Sequence, residues 1–260
     1  MKPVRTVSLG GTEVSRIGLG TNRLSYTPGH VAFIRAAVES GIDVIDTAHL
    51  YVGGDSERTV GAALANRKWD TLVAATKGGY ASGEGRPDIL RGQIEQSLRE
   101  LRTDAIDLYY LHRVHPDTPL EQSLAVIREL RDAGRIKRVG LSQVSIEQIE
   151  RARAVVQIDA VQSHYNLAER GWDAVVDYCE RERIVFVPYF PLRADHPAQG
   201  AIAAEHDVSR EQIALAWLLH RSPMMLPIPG SLSVDHVREN IAALDIELTG
   251  EEFDTLSTAG

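Results

Sequence analysis

DVIDTAHLYVGGDSERTVGAALANR, residues 43–67, is the stretch that decides the fold. It opens on a short apolar run that reads as a strand. A loop with a tyrosine and two glycines follows, and SERTVGAALANR then carries apolar residues at helical spacing. Strand, loop and helix in that order make one β/α unit.

The unit recurs along the chain. RIGLGT, DVIDTA, TLVAATK, IDLYYLH, IKRVGLS, AVQSHYN, IVFVPYF and MMLPIPG are strand candidates, eight in all. Helical patterns separate them. HVAFIRAAVES ends at Gly41, a residue suited to a helix C-terminus. PDILRGQIEQSLREL opens on Pro87, apt for a first turn. PLEQSLAVIRELRDAG is amphipathic, and SIEQIERARAVV opens on a serine cap with Glu147 close behind. WDAVVDYCERER and SREQIALAWLLHR follow, then SVDHVRENIAAL and TGEEFDTLS. Ahead of the first unit, VSLGGTEVS alternates around Gly10 and Gly11 and predicts a β-hairpin. Eight alternating units predict an α/β fold of the (β/α)8 TIM-barrel type, and 260 residues match the ~250 typical of it. A doubly wound open sheet is the rival. Against it, GLGTN after the first strand lacks the spacing of the dinucleotide fingerprint GxGxxG. No linker or low-complexity run divides the chain, so residues 1–260 read as a single barrel domain.

Composition narrows the function. The chain is 43% hydrophobic and 25% charged, enough for a full core without disulfides or metal. Its net charge of −8 argues against a nucleic-acid surface, which needs a basic patch. The lone cysteine, Cys179, cannot form an internal disulfide. It reads as packing and suits a reducing compartment. No apolar run approaches the ~20 residues of a membrane span, and MKPVRTVSLGG lacks the apolar core of a signal peptide. The expectation is a cytoplasmic protein without membrane or nucleic-acid partners, a monomer or weak homo-oligomer.

In a barrel the C-terminal strand ends share one mouth, where chemistry is placed. Strand two ends at Asp46, with Tyr51 in the loop beyond. Strand three ends at Lys77 and strand four at His112. Each alone has a plain reading: a cap or arginine partner, a packed ring, a surface cation, a hydrogen-bonded imidazole. Jointly, on three successive strands, they point to proton transfer. A free phenol titrates near 10 and is a poor donor at neutral pH. A neighbouring ammonium lowers that value, and Lys77 can supply it. Asp46 would hold the lysine charged and aimed, and His112 would donate a hydrogen bond to a substrate oxygen. The set would protonate an oxygen as negative charge develops on it, which suits carbonyl reduction by a bound nicotinamide. His112 and His115 have no third ligand nearby, so no metal is expected. GGYASGEGR, residues 78–86, is a flexible loop over the mouth, either a substrate lid or a plain connection. Trp172 and Trp217 read as helix packing, and Trp69 as rim.

RIGLGT, DVIDTA, Tyr51 with GGDSE, ATK, LH, RVGLS, VQSHYNL, VPYFPL and PIPGSLSVDHVREN fall in order through nearly the whole chain. In this the sequence resembles the aldo-keto reductases. The resemblance implies NADPH-dependent interconversion of carbonyl and alcohol, with Asp46, Tyr51, Lys77 and His112 as the catalytic tetrad. It implies cofactor contacts at Gly20 and Thr21 in the first loop and at Asp46. Ser142 and Gln162 match the pair that bonds the nicotinamide amide. Tyr189 matches the aromatic that stacks on the nicotinamide ring, with Phe190 and Leu192 in the loop that follows, towards the pyrophosphate. Gly230, Ser231, Ser233, His236, Glu239 and Asn240 match the adenosine-phosphate pocket, where a strand end feeds a helix N-terminus.

The sequence also departs from the family. Many members have Ser-Asn after strand five, where this chain has Ser142 and Gln143; Gln143 would bond the amide through one more methylene. The 2′-phosphate pocket often has lysine and arginine. Here those positions hold Gly230 and His236, with Arg238 nearby, and histidine is only partly charged at neutral pH. NADPH remains the expected cofactor, with dual use or NADH as the alternative. The loop after PYFPL is short and the chain closes soon after TGEEFDTLS, which predicts an open, loosely selective mouth. VPYFPL looks most like bacterial members that include pyridoxal reductases. Two rival functions stand beside carbonyl reduction: a Schiff-base aldolase with Lys77 as nucleophile, and a non-catalytic NADPH-binding regulatory protein. The expected partner is a small-molecule carbonyl.

Overall fold

The computed structural model describes residues 4–65, 71–193 and 196–258. Two strands come first, β1 (Thr6–Leu9) and β2 (Thr12–Ser15), paired antiparallel with Val7 opposite Val14. Gly10 and Gly11 join them at φ 53° and 86°, the positive values a two-residue hairpin turn needs.

A strand–helix alternation follows: β3 (Leu19–Gly20), α1 (Pro28–Glu39), β4 (Val44–Asp46), α2 (Asp55–Leu64), β5 (Val73–Gly78) and α3 (Pro87–Glu100). It continues with β6 (Leu108–Leu111), α4 (Leu120–Asp132), β7 (Val139–Ser142), α5 (Ile146–Arg153), β8 (Ala160–His164), α6 (Asp173–Glu182) and β9 (Val185–Tyr189). Four helices complete it: α7 (Gln199–Glu205), α8 (Arg210–Arg221), α9 (Val234–Ala242) and α10 (Gly250–Ser257). Strands β3 to β9 form one seven-stranded sheet in sequence order, every neighbouring pair parallel.

The eighth strand expected at MMLPIPG is a departure. Residues 224–230 occupy its place and bond to both neighbours. Gly18 and Gly20 donate to Pro227 and Pro229 on one side, at 2.9 and 3.2 Å. On the other, Phe186 donates to Met224 and accepts from Leu226, and Ile228 donates to Pro188. Pro227 and Pro229 have no N–H to give, so the ladder breaks into isolated bridges. At this seam a Cβ on Gly20 would lie 2.9 Å from the Ile228 carbonyl oxygen. Glycine there lets the two backbones meet.

Alternation along the strands separates two cores. Tyr110 faces inward with Val44, Val73, Leu108 and Val185, the layer that the hairpin's Val7, Leu9 and Val14 also join. Tyr109 faces outward into the larger core beneath the helices. The Tyr110 ring fills the space above Gly140, where a Cβ would sit 2.3 Å from it. Trp217 is fully buried on α8 between Tyr165 and Phe253, with Arg170 over its ring at 4.6 Å. Trp172 lies just before α6 and packs on the same core. Cys179 is buried there, its thiol pushed up to about 12 by burial. Trp69 lies outside the described residues.

Side-chain caps fix the starts of five of the helices, α1, α5, α8, α9 and α10. Ser145, Ser209 and Thr249 each form a capping box, with Gln148, Gln212 and Glu252 as partners. The box residue of α5 is thus Gln148 rather than Glu147. Thr27 caps α1 one residue ahead of Pro28, so that helix begins earlier than its apolar spacing indicates. The short helix α7 carries little periodic signal and is not among the elements that the sequence predicts.

One buried cation ties the hairpin to the end of α8 and the segment that follows it. Arg16 is 1% exposed and donates to the carbonyls of Val4, Leu219, Ser222 and Met225. Burial pulls its pKa down to about 10, still charged at neutral pH. Arg16→Met removes the donors; the Ser222 carbonyl keeps the Met225 N–H, and the other carbonyls lose the guanidinium as a partner. We expect a loss of about 3 kcal/mol in urea-denaturation stability; a variant within about 1 kcal/mol of wild type would show that water replaces the guanidinium freely.

Candidate active site

The C-terminal ends of the strands surround a cleft of about 600 Å³. Its deepest polar feature is an ion pair. Lys77, fully buried at the end of β5, donates from Nζ to Asp46 Oδ1 on β4 at 2.6 Å and to the Thr47 carbonyl at 2.7 Å. The other Asp46 oxygen accepts from Gln162 Nε2 on β8 at 2.9 Å. Both oxygens of this carboxylate are therefore engaged, as a buried charge requires. Burial by itself draws the ammonium's pKa down. The Asp46 and Tyr51 contributions outweigh it, and the net direction is up.

Tyr51 opens a single 3-10 turn, Tyr51–Gly54. The turn hangs from β5 through the backbone bond of His49 N–H to the Lys77 carbonyl at 2.9 Å. Val52 takes φ 50° and Gly53 φ 63°, which swings the chain back into α2. The Lys77 ammonium is 5.1 Å from the Tyr51 ring centroid. From sequence, this ammonium is expected to set the phenol's pKa below its usual value. The net direction is the reverse: burial raises it, Lys77 opposes by charge and hydrogen bonding, and Asp46 adds to the rise. The phenol is protonated at neutral pH.

His112, just past β6, is 5% exposed and edges onto Tyr51 and Tyr80, with centroids 6.2 and 4.9 Å away. Burial, Lys77 and Arg113 together push its pKa down to about 2. It is a neutral imidazole. His115 is occupied elsewhere, pairing with the Tyr80 carbonyl at 2.8 Å. No group of three His, Cys, Asp or Glu suited to a metal occurs among the described residues. The 78–86 loop is fastened: Glu84 accepts from the N–H groups of Tyr80 and Ala81, and Ser82 bonds Asp117.

Of the expected cofactor residues, Gly20, Thr21, Asp46, Ser142, Gln162, Tyr189, Phe190, Leu192 and Gly230 line the cleft with Tyr51 and His112. Tyr189 stacks on His164 at 5.4 Å, the rings nearly parallel, and its hydroxyl accepts from Gln143. Gln143 therefore orients the tyrosine and does not line the cleft. Ser231, Ser233, His236, Glu239 and Asn240 are not among the residues that line it; they stand just before α9 and along it. Ser233 caps that helix, and Arg238 pairs with Asp235 at 3.1 Å. Lys77 stands behind the cleft wall rather than on it. Ala194 and Asp195, in the short loop after Leu192, lie outside the described residues.

The model of the aldo/keto reductase family matches residues 16–196 and 195–259. The chain belongs to that family. An uncharacterized oxidoreductase of Schizosaccharomyces pombe is 36% identical over 276 residues, covering 98% of this chain and 90% of that protein. Pyridoxine 4-dehydrogenase of Escherichia coli is 35% identical, covering 96% of each. Among solved structures, a thermostable aldo-keto reductase bound to the inhibitor epalrestat superposes with a TM-score of 0.91 at 30% identity, covering 99% of this chain and 100% of that one. An aldo-keto reductase of Klebsiella pneumoniae in complex with NADPH gives 0.88 at 32%, covering 98% and 94%.

Several residues of this reductase site carry no signal in the sequence. Arg23, Arg113 and Arg193 all line the cleft, yet they are scattered through loops with no common spacing. Ser56 bonds both Thr21 and Thr47 through hydroxyls at 2.8 and 2.7 Å, fastening two strand ends to α2. Glu57, buried behind them, accepts from Thr76 at 2.6 Å, and burial lifts its pKa. Both residues stand in GGDSE, a motif that could have signalled them.

The neutral state of His112 has a measurable consequence. Below about 6.5 the unfolded chain protonates this histidine and the folded chain does not. Stability therefore falls with falling pH, by about 1.4 kcal/mol per unit from this group. His112→Gln should show a shallower acid limb by about one proton in pH-dependent urea denaturation. Parallel acid limbs would mean that His112 titrates normally in the folded state.

Proposed function

We propose that the protein reduces an aldehyde or ketone to an alcohol with NADPH. One observation carries this reading: Tyr51, Lys77, Asp46 and His112 stand on one side of a cleft that also holds Ser142, Gln162 and Tyr189. The residues present fit a reduced nicotinamide dinucleotide. Tyr189 offers a ring, Gln162 and Ser142 offer amide and hydroxyl groups, and Arg23 and Arg193 offer cations towards Gly230 and Leu192. The NADP-bound and NADPH-bound Klebsiella pneumoniae relatives support the same cofactor.

When bound, the nicotinamide supplies the hydride. The chain's own residues handle the oxygen. Tyr51 presents a protonated phenol to the carbonyl oxygen and gives up the proton as alkoxide character develops. An alkoxide is a far stronger base than a phenolate, so a raised phenol pKa does not forbid the transfer. It keeps the donor loaded. Lys77 acts on the phenolate left behind, whose charge it offsets across a short, desolvated distance. Asp46 keeps the ammonium charged and fixed. His112, neutral, has an N–H to donate to the same oxygen. We place the enzyme in the cytoplasm and read pyridoxal-type aldehydes as one substrate class to screen, in line with the Escherichia coli relative. A Schiff-base role for Lys77 is weighed down by its full burial and its two existing hydrogen bonds. A purely regulatory role leaves the buried ion pair without a task.

Tyr51→Phe should lower kcat by about 100-fold or more while NADPH affinity, read by fluorescence titration, stays near wild type. Full activity in this variant would remove the phenol from the mechanism. His236→Arg should shift the kcat/KM ratio towards NADPH over NADH. An unchanged ratio would place His236 away from the 2′-phosphate.

A further inference from the structure

The cleft is electropositive in an acidic protein. The chain carries a net charge of −8, yet three arginines line the cleft against a single acid, Asp46. Lys77 and Gln162 already occupy that acid. Elsewhere arginines pair with carboxylates, as Arg58 does with Glu100 and Arg151 with Glu121. Among the described residues no carboxylate pairs with Arg23, Arg113 or Arg193. Arg23 reaches the Gly230 carbonyl and Arg193 covers the Phe190 ring, so both belong to the side assigned above to the cofactor.

Arg113 stands apart from them, on the side of the proton donor. It follows His112 directly and is half-buried. Its guanidinium lies 5.4 Å from the Tyr80 ring centroid. Nη1 is spent on the His112 carbonyl at 2.7 Å and on Ser142 Oγ at 3.1 Å. Nε and Nη2 make no hydrogen bond among the described residues. These two donors form one edge of the planar fork, the edge that takes a carboxylate or phosphate bidentately. The guanidinium is thus held in place by its other edge and by Tyr80, with its anion-binding edge unfilled. The rim on this side is apolar: Leu50 and Tyr80 are 41% and 46% exposed.

We infer that Arg113 is an anion subsite selecting carbonyl substrates that carry a carboxylate or phosphate on an apolar or aromatic body. The inference rests on the carbonyl-reductase reading and adds the substrate class to it. Arg113 supplies a positioned charge and two donors, while the rim holds the body of the substrate. Neutral aldehydes gain only the rim.

Matched substrates test this. Para-carboxybenzaldehyde and its neutral methyl ester are compared by kcat/KM, with para-formylphenyl phosphate as a third arm. Wild type should favour the anions over the ester by about 10- to 100-fold, and the two anionic arms decide between carboxylate and phosphate. Arg113→Met should bring the ratio close to one. Arg113→Lys should restore part of it, since charge survives and the fork does not. A wild type without preference for either anion would overturn the inference. So would an Arg113→Met variant that loses acid and ester activity equally and keeps the ratio. A second readout needs no turnover: calorimetric binding of benzoate and phenyl phosphate to wild type and to Arg113→Lys, with benzamide as control. At least one anion should bind wild type more tightly than benzamide and Arg113→Lys more weakly. Equal binding of anions and benzamide to wild type would overturn the subsite. Absence of NADPH oxidation with all three aldehydes, alongside tight anion binding, would instead overturn the reductase reading and keep Arg113 as an anion site.

Discussion

The buried ion pair between Asp46 and Lys77 is the constraint on which the site depends. Taking both charges out of water costs several kcal/mol each, and only close geometry recovers it. The structure provides that geometry from three strands at once: carboxylate on β4, ammonium on β5, amide of Gln162 on β8. A residue slip in the register of β4 on β5 would send one partner to the wrong face. The observed pairing, Asp46 beside Ala75, leaves Lys77 two residues further along on the same face and able to reach back. The same charge then governs its neighbours. It opposes the effect of burial on Tyr51 and, after burial itself and with Arg113, helps to keep His112 neutral.

Much of the surrounding architecture holds loops that a barrel alone would leave free. The Tyr51 turn is bonded to β5 by backbone and followed by Val52 in the left-handed region. Gln143 and Phe190, at the ends of β7 and β9, share that conformation at φ 57° and 51°. Arg102, Arg183 and Asp207 also have positive φ, but each lies just past a helix, where such residues commonly end the turn. The three at the mouth have no such helix end to account for them. Their side chains or neighbours reach the cleft, which fits strain held by surrounding contacts.

The repeat of strand, loop and helix makes the fold legible, because burial on both sides of a parallel sheet writes continuous apolar runs. Strand ends then order the reactive residues, and Asp46, Tyr51, Lys77 and His112 do meet. The departures have physical causes. MMLPIPG is apolar enough for a strand, but its prolines remove the donors a full ladder needs. The direction of the Tyr51 shift escapes the sequence, which shows which charge can be near a phenol and not how deeply the ring is buried. Arg113 escapes it because a cation after a strand is ordinary in sequence. Only the unfilled edge of its guanidinium, seen in three dimensions, distinguishes it from the ion-paired arginines on the helices.

The two sets of polar groups act on different parts of the reaction. In the proposed reaction Tyr51, Lys77 and His112 face charge that exists only as the carbonyl is converted, so their interactions would strengthen in the transition state and act on kcat. An anionic substituent keeps its charge from substrate to product. Contacts between Arg113 and that substituent are therefore uniform along the reaction, and uniform binding lowers KM without lowering the chemical barrier. The cleft can then discriminate strongly while its chemistry stays general. Selectivity then does not require loops that enclose the whole substrate, since one half-buried cation, in a protein of opposite net charge, is proposed to read a single group on it.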